Sequence, residues 1–300
     1  MTHHHSAVRS RRMFTRAVGG FAVVLVLASS LWSTAPVDAA PKPTSYYVSV
    51  GDSLAQGLQP IGGPNTGSAA AGYNQGYANQ LFKQARDRGG EHLRLVKLGC
   101  GGETTASMIG DSADSFCADD YDTGSQLGDT VKFLDEHPGQ IAFITIDIGV
   151  NDIFECQGVP TCFIPQIATN LPLILDTLRD HAGPGVPIIG MNYYSPFVVD
   201  WFDDPAAGEA AATDIVAFNN FLESLYGGAG VPVADVESAF AVTDFTTQAE
   251  LKHVGPVPLS VHNACTLTWA CTDPPLGPDI HANTHGYGVI AEAFAAELGI

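Results

Sequence analysis

The sequence predicts an α/β protein, a three-layer α/β/α sandwich around a parallel sheet. Apolar strand candidates alternate with helix candidates along the chain, and this order favours a parallel sheet that helices cover on both faces. Two strand candidates, residues 141–148 and 186–191, are almost continuously apolar, which is typical of strands buried on both faces. The strand candidates are residues 45–50, 93–98, 141–148, 186–191 and 231–235, and the helix candidates lie near residues 73–88, 125–136, 164–182, 209–226 and 284–298.

The first 39 residues have the composition of a cleaved export signal. Four arginines precede an apolar run at residues 17–32, and Val37 and Ala39 mark a cleavage site after Ala39. The run is shorter than the ~20 residues that a membrane-spanning helix needs, so we expect cleavage and no stable membrane anchor. Residues 10–14 resemble a twin-arginine motif, and the sequence leaves the export route open. Residues 40–300 show no repeat, charge run or break in composition, which indicates one domain.

Charge and cysteine content narrow the class of protein. Residues 1–39 contain four Arg and one Asp, so the mature chain carries nine basic and 31 acidic side chains, a net charge of −22. Such a surface repels nucleic acid and anionic bilayers, and it suits a secreted, soluble protein that we expect to be a monomer. All six cysteines lie in the mature region, and an even number in an exported chain indicates disulfide bonds.

Four short motifs follow predicted strands or precede the last predicted helix. Ser53 lies in a Gly-Asp-Ser-Leu turn directly after the first strand candidate, and Gly102 ends a glycine-rich turn after the second. Asn151 follows the third strand candidate, and His281 precedes the last helix candidate. Ligands of open α/β sheets bind in the crevice at the carboxyl ends of the strands, and glycine turns present backbone N–H groups to anions there. These residues are therefore the candidate site.

In this order, the motifs resemble the four blocks of the SGNH, or GDSL, hydrolase family. The resemblance runs from about residue 45 to the C-terminus and implies a flavodoxin-like fold. It implies that Ser53 is the nucleophile and His281 the general base. It also implies an oxyanion hole formed by the Ser53 and Gly102 N–H groups and the side-chain amide of Asn151.

Two further features come from the resemblance. The family's glycine precedes an acidic residue and then Thr or Ser, which selects Gly102, before Glu103 and Thr104, among the glycines of the turn. Secreted relatives of actinobacterial type have three consecutive disulfides, and this pattern, with proximity in sequence, implies that each cysteine pairs with its neighbour. The implied pairs are Cys100 with Cys117, Cys156 with Cys162, and Cys265 with Cys271.

The acidic partner of His281 departs from the family pattern. The family has Asp three residues before the histidine and Pro after it, whereas Pro278 and Ala282 occupy these positions here. Asp279, two residues before His281, can still reach the imidazole, because residues i and i+2 of an extended segment point to the same side. Asp273 and a backbone carbonyl near Pro278 remain alternatives.

Together these residue types predict an exported serine esterase that forms an acyl-enzyme. A serine hydroxyl needs a neutral imidazole within ~3 Å to take its proton, and donors aimed at the developing oxyanion lower the barrier. The resemblance implies lipid or short acyl esters as substrates. An O-acetyl sugar deacetylase and a noncatalytic binding module on the same scaffold remain alternatives. His285, four residues after His281, suggests a metal pair, but without a third ligand nearby we expect neither a metal nor a cofactor.

Long connections follow three of the predicted strands, at residues 55–72, 193–208 and 237–278. Connections of this length in a compact domain are usually functional or disordered. The second contains five aromatic residues, which serve either as packing or as the apolar wall of an acyl site.

Overall fold

The structure is a computed structural model that describes residues 44–60, 74–89, 92–112 and 117–300. The predicted export signal, residues 1–39, lies outside these described residues. The central sheet has five strands, each parallel to its neighbours: β1 (Ser45–Gly51), β2 (Leu93–Lys97), β3 (Ile141–Asp147), β4 (Ile188–Met191) and β5 (Val233–Ala234). Their order in the sheet is β2-β1-β3-β4-β5.

This strand order places a topological switch point between β1 and β3. From β1 the chain moves outward to β2 and then returns to β3 on the other side of β1. Gly51 pairs with Asp147, so the carboxyl ends of the two strands lie level with each other. Open α/β sheets bind ligands at such a point, and Ser53 and Asn151 follow these two strand ends.

Helices cover both faces of the sheet. Alternate residues of a strand point to opposite faces, and in β1 Tyr46 contacts Phe133 while Ser49 contacts Tyr77. The helices that carry Phe133 and Tyr77 therefore lie on opposite faces. The helices are α1 (Ser53–Gln56), α2 (Tyr77–Asp87), α3 (Thr105–Met108), α4 (Gln126–Glu136), α5 (Val150–Glu155), α6 (Pro160–Ala182), α7 (Pro205–Gly228), α8 (Val236–Ala239), α9 (Leu259–Leu267) and α10 (Thr284–Leu298).

The two helical layers are built from contacts between long amphipathic helices. On one face, α2 packs against α10, and Tyr77 stacks on Phe294 with 4.9 Å between the ring centroids. On the other face, α6 contacts α4 and α7. The buried residues of α6 recur every three or four positions, which is the period of a helix with one apolar side. They are Phe163, Ile167, Leu171, Ile174, Leu175, Leu178 and Ala182.

The predicted three-layer fold is confirmed, with two differences in the connections. The segment 237–278, predicted as a long loop, contains α8, α9 and an antiparallel hairpin of β6 (Gln248–Leu251) and β7 (Gly255–Pro258). The aromatic connection at 193–208 contains a 3₁₀ helix, Pro196–Phe202. Among the described residues, no helix combines the length and apolar character needed to cross a membrane.

All six cysteines are bonded in the three pairs that the resemblance implies. The bridges are Cys100–Cys117, Cys156–Cys162 and Cys265–Cys271.

Candidate active site

Ser53 is the first residue of α1, and the turn before it is held by backbone and side-chain hydrogen bonds. The Asp52 backbone N–H donates to the Asp147 carbonyl oxygen (2.9 Å), and Asp52 Oδ1 accepts from the Leu54 N–H (2.8 Å). Gly51 has a φ of +133°, and a Cβ at this position would lie 2.1 Å from the Asp147 carbonyl oxygen. Only glycine fits there, because both the backbone conformation and the space exclude a side chain.

Two buried carboxyl groups, Asp52 and Asp147, support this turn. Asp147 accepts hydrogen bonds from the Tyr77 hydroxyl (2.6 Å) and the Ala55 N–H (3.0 Å), and Asp52 accepts from the Tyr193 hydroxyl (2.9 Å). Burial raises the pKa of both groups, and the charge of Asp52 raises the pKa of Asp147 further. We did not predict this role for Asp147. The available signal is a lone aspartate within the apolar run at 141–148.

The hydroxyl of Ser53 lies in a hydrogen-bonded series with an imidazole and a carboxylate. His281 Nε2 is 2.9 Å from Ser53 Oγ, and His281 Nδ1 is 2.7 Å from Asp279 Oδ1. The same oxygen also accepts from the His281 backbone N–H (2.9 Å). Burial acts to raise the pKa of Asp279, but the hydrogen bonds and positive charge of His281 hold it below its usual value. Of the two carboxylates considered from sequence, the structure brings Asp279 to His281, whereas Asp273 is exposed.

The segment around His281 is fixed by the elements on either side. The Trp269 N–H donates to the His281 carbonyl oxygen (3.0 Å), and the Tyr194 hydroxyl donates to the Ile280 carbonyl oxygen (2.9 Å). Asn283 caps α10 two residues later. These contacts hold the backbone before and after His281 and thereby fix the position of its imidazole.

The three groups predicted to form an oxyanion hole lie just after the ends of β1, β2 and β3. As the first residue of a helix, Ser53 has no intrahelical acceptor for its N–H. Gly102 is exposed with a φ of +83°, whereas the Gly101 N–H already donates to Gln56 Oε1 (3.0 Å). Asn151 Nδ2 donates to the Glu103 carbonyl oxygen (3.0 Å), which orients the amide and leaves its second N–H for a ligand.

Buried polar contacts join the glycine turn to the nucleophile turn. Gln126 Nε2 donates to the Gly51 carbonyl oxygen (2.9 Å) and to Glu103 Oε2 (2.9 Å), and the Gly51 N–H donates to Gln126 Oε1 (2.5 Å). Desolvation raises the pKa of Glu103. Gln126 therefore fixes the spacing between the two turns. No local sequence pattern indicates this role of Gln126, because the contact depends on tertiary structure.

Asp152 connects the glycine turn to α5. Its carboxylate accepts hydrogen bonds from the Thr105 N–H (2.9 Å) and hydroxyl (2.5 Å). Burial raises the pKa of Asp152 to about 6, although the hydrogen bonds from Thr105 act in the opposite direction. These contacts hold α5, which carries Asn151, against the segment that follows Gly102.

A small apolar cavity of about 70 Å³ opens at Ser53, Asn151 and His281. Two of the aromatic residues predicted to form an apolar wall, Tyr193 and Tyr194, are buried beside it. The other apolar residues that line it are Leu54, Val150, Phe154, Pro196, Phe197, Ile215 and Ile280.

His285, the other histidine considered, is exposed at the start of α10 and takes no part in this series. Within the described ranges, the cluster of possible metal ligands is Cys100, Glu103 and Cys117. Its two cysteines are bonded to each other and offer no thiolate.

Comparison with known proteins gives one family match and several structural matches. A model of the GDSL-like lipase/acylhydrolase family matches residues 49–289. The acetylxylan esterase Axe2 of Geobacillus stearothermophilus is similar in structure, with 17% identity over 86% of this chain and 95% of that chain and a TM-score of 0.50. A protein of Parabacteroides merdae, described as a GDSL-like lipase, has 13% identity over 86% of this chain and 97% of its own and a TM-score of 0.52. A search of curated proteins finds no significant match. At these identities, the two structures show a common fold alone.

Proposed function

The chain belongs to the GDSL-like lipase/acylhydrolase family, and we propose that it is an exported serine esterase that hydrolyses carboxylic esters through an acyl-enzyme. The observation that carries this proposal is the series from Ser53 Oγ to His281 Nε2 (2.9 Å) and from His281 Nδ1 to Asp279 Oδ1 (2.7 Å). Serine hydrolases of unrelated folds share this arrangement.

In the first half of the reaction, His281 Nε2 takes the hydroxyl proton as Ser53 Oγ bonds to the ester carbon. General-base catalysis of this kind is worth roughly 10²–10⁴-fold. The carbonyl oxygen becomes an oxyanion, which receives hydrogen bonds from the N–H groups of Ser53 and Gly102 and from the Asn151 amide. Each such donor lowers the barrier by about 3 kcal/mol. The carbon–oxygen bond to the alcohol then breaks, and His281 returns its proton to the leaving oxygen.

In the second half, His281 takes a proton from water, and the water oxygen attacks the acyl carbon. Collapse of the second intermediate breaks the bond to Ser53 Oγ, which regains a proton from His281, and the free acid departs. In both halves the Asp279 carboxylate holds the Nδ1 proton and stabilises the imidazolium without taking the proton itself.

The size of the cavity at Ser53 favours short acyl groups. Its volume of about 70 Å³ is roughly that of two water molecules in the liquid, and about half of a cavity that holds benzene. An acetyl group fits this volume, a propionyl or butyryl group extends to its opening, and a long fatty acyl chain has to leave it. An O-acetyl sugar deacetylase is the second candidate function, because the cavity also fits the acetyl group that such an enzyme removes.

Export is part of the proposal and is supported by two observations. The first 39 residues have the features of a cleaved signal, and all six cysteines are in disulfides, which persist in oxidising compartments.

A panel of p-nitrophenyl esters from acetate to palmitate tests this function. We expect the highest kcat/KM for acetate to butyrate and a fall with longer chains. Ser53→Ala and His281→Ala should abolish turnover, whereas His285→Ala, which changes an exposed histidine four residues away, should not. Absence of turnover by the wild-type protein, or retained turnover by Ser53→Ala, would contradict the proposal.

A further inference from the structure

A second and much larger cavity, an open groove of about 850 Å³, adjoins the small cavity at Ser53. Pro196, Phe197 and Ile280 line both cavities, so the two spaces are direct neighbours. The groove lies between the 3₁₀ helix Pro196–Phe202, the β6–β7 hairpin and the segment closed by the Cys265–Cys271 disulfide. None of these elements belongs to the central sheet, and they shape a surface beside the site.

Several exposed apolar side chains line the groove. Of the eight large hydrophobic residues that are strongly exposed in the described ranges, four line the groove: Phe197 (42%), Phe202 (44%), Val254 (60%) and Ile280 (40%). Single exposed hydrophobic residues are common, but a contiguous group beside a catalytic centre marks a binding surface. The groove therefore has the character of a site for an apolar group.

The charges at the groove exclude an anionic occupant. Asp200, Asp203 and Asp279 line it, and Lys252 is the basic residue among the lining side chains. With nine basic and 31 acidic side chains in the mature chain, the wider surface is also negative. A phosphate or carboxylate group would be repelled, and the exposed apolar side chains favour an uncharged occupant over a cation.

The position of His281 decides which part of an ester enters the groove. His281 must give its proton to the leaving oxygen, so the alcohol part lies on the His281 side of Ser53. Ser53, Asn151 and His281 all line the small cavity. The groove is lined by Pro278, Asp279 and Ile280, the residues directly before His281, so it lies on the His281 side of the site. The small cavity thus suits the acyl group, and the groove suits the alcohol.

We infer that the groove binds the alcohol part of the substrate, and that the substrates are short-chain acyl esters of neutral, apolar alcohols. This inference rests on the proposed esterase function and deepens it. It separates the enzyme from a lipase that recognises long acyl chains and from a deacetylase that recognises a sugar.

The test varies the alcohol while the acyl group stays acetyl, and follows acid release from methyl, butyl and hexyl acetate in a pH-stat. A fully buried methylene would raise kcat/KM about fourfold, and an open groove that buries half of it about twofold. We therefore expect a rise of about 30-fold over the five methylenes from methyl to hexyl acetate.

Two groove variants and one matched control test whether the groove causes the rise of kcat/KM with the length of the alcohol. Phe202→Asp and Val254→Asp should each reduce the ratio of hexyl to methyl acetate kcat/KM about tenfold. Leu173→Asp places the same charge at another exposed hydrophobic residue, on α6 (50% exposed) and outside the groove, and should keep the ratio. Native circular dichroism and melting curves check that each variant is folded.

The outcomes separate the two proposals. Hydrolysis of methyl acetate with no rise along the series, or an unchanged ratio in both groove variants, would overturn the inference while the esterase function stands. Faster hydrolysis of an acetylated methyl xyloside than of hexyl acetate would also overturn it, in favour of a sugar deacetylase. Failure to hydrolyse any of these esters would overturn the proposed function itself.

Discussion

Asp279→Asn tests how the carboxylate acts on His281. Asp279 Oδ1 accepts from both the Nδ1 and the backbone N–H of His281, at 2.7 and 2.9 Å. An asparagine will keep its amide oxygen at this place, because its NH₂ group would there face the His281 backbone N–H, which can only donate. The imidazole therefore retains its proton on Nδ1, and the substitution removes mainly the negative charge that stabilises the imidazolium.

The size of the expected loss in kcat/KM follows from the charge interaction between Asp279 and the protonated His281. Two unit charges ~4 Å apart interact by about 4 kcal/mol at a protein surface and about 1 kcal/mol in bulk water. The side chain of Asp279 is 27% exposed and that of His281 14%, so the value of about 4 kcal/mol is the relevant limit. The amide oxygen that remains in place retains part of this interaction, which leaves a loss of about 2–3 kcal/mol. Asp279→Asn should then lower kcat/KM by roughly 30–150-fold.

The assay compares kcat/KM for p-nitrophenyl acetate at neutral pH in Asp279→Asn, His281→Ala and the exposed control Asp273→Asn. We expect Asp279→Asn to lie clearly between the wild type and His281→Ala, and Asp273→Asn to resemble the wild type. A loss below about threefold would mean that the carboxylate does not stabilise the imidazolium. A loss as large as that of His281→Ala would refute the argument that the amide keeps its oxygen toward the ring. A greater loss in Asp273→Asn would assign the acid to that residue.

Three further predictions concern the surroundings of the nucleophile. Asn151→Ala should lower kcat about 10²-fold with little change in KM, because its amide binds charge that appears only in the transition state; a raised KM with preserved kcat would make it a substrate-binding residue. Folding raises the pKa of Asp152 from 3.8 to about 6, so its ionisation destabilises the fold as pH rises through this range. In denaturant titrations, the free energy of unfolding should therefore fall by up to about 3 kcal/mol less between pH 4 and pH 7 in Asp152→Asn than in the wild type. The same fall in both proteins would contradict this. Replacing the Cys100–Cys117 bridge, which spans 17 residues beside the Gly102 turn, by two serines should cost about 3 kcal/mol, against about 2 kcal/mol for Cys156–Cys162, which spans six. Only the first replacement should also lower kcat, and an equal effect of both on activity would show that the bridge does not position the turn.

The fold could be predicted because its signals are local. The buried strands are apolar runs, and the structure places the three longest within one residue of the predicted ends. The β6–β7 hairpin was missed because β7, Gly255–Pro258, contains two prolines and β6 is half-exposed. Proline lacks a backbone N–H donor and is typical of loops, so the pairing of β7 depends on its partner strand and not on its own sequence.

The candidate site could be predicted where its residues lie in turns with a recognisable sequence. Ser53, Gly102, Asn151 and His281 each occupy a recognisable turn or helix start, and their catalytic roles stay predictions. The contacts of Gln126 with Gly51 and Glu103 join residues far apart in sequence, so no local pattern indicates them.

Covalent labelling with a fluorophosphonate tests the central claim most directly, because the reagent reacts with a serine that a neighbouring base activates. Intact-mass analysis should show one adduct per chain, and peptide mapping should place it on Ser53. Ser53→Ala should remain unlabelled, and His281→Ala should label far more slowly. An adduct on another serine, or no adduct on a protein that hydrolyses esters, would contradict the account.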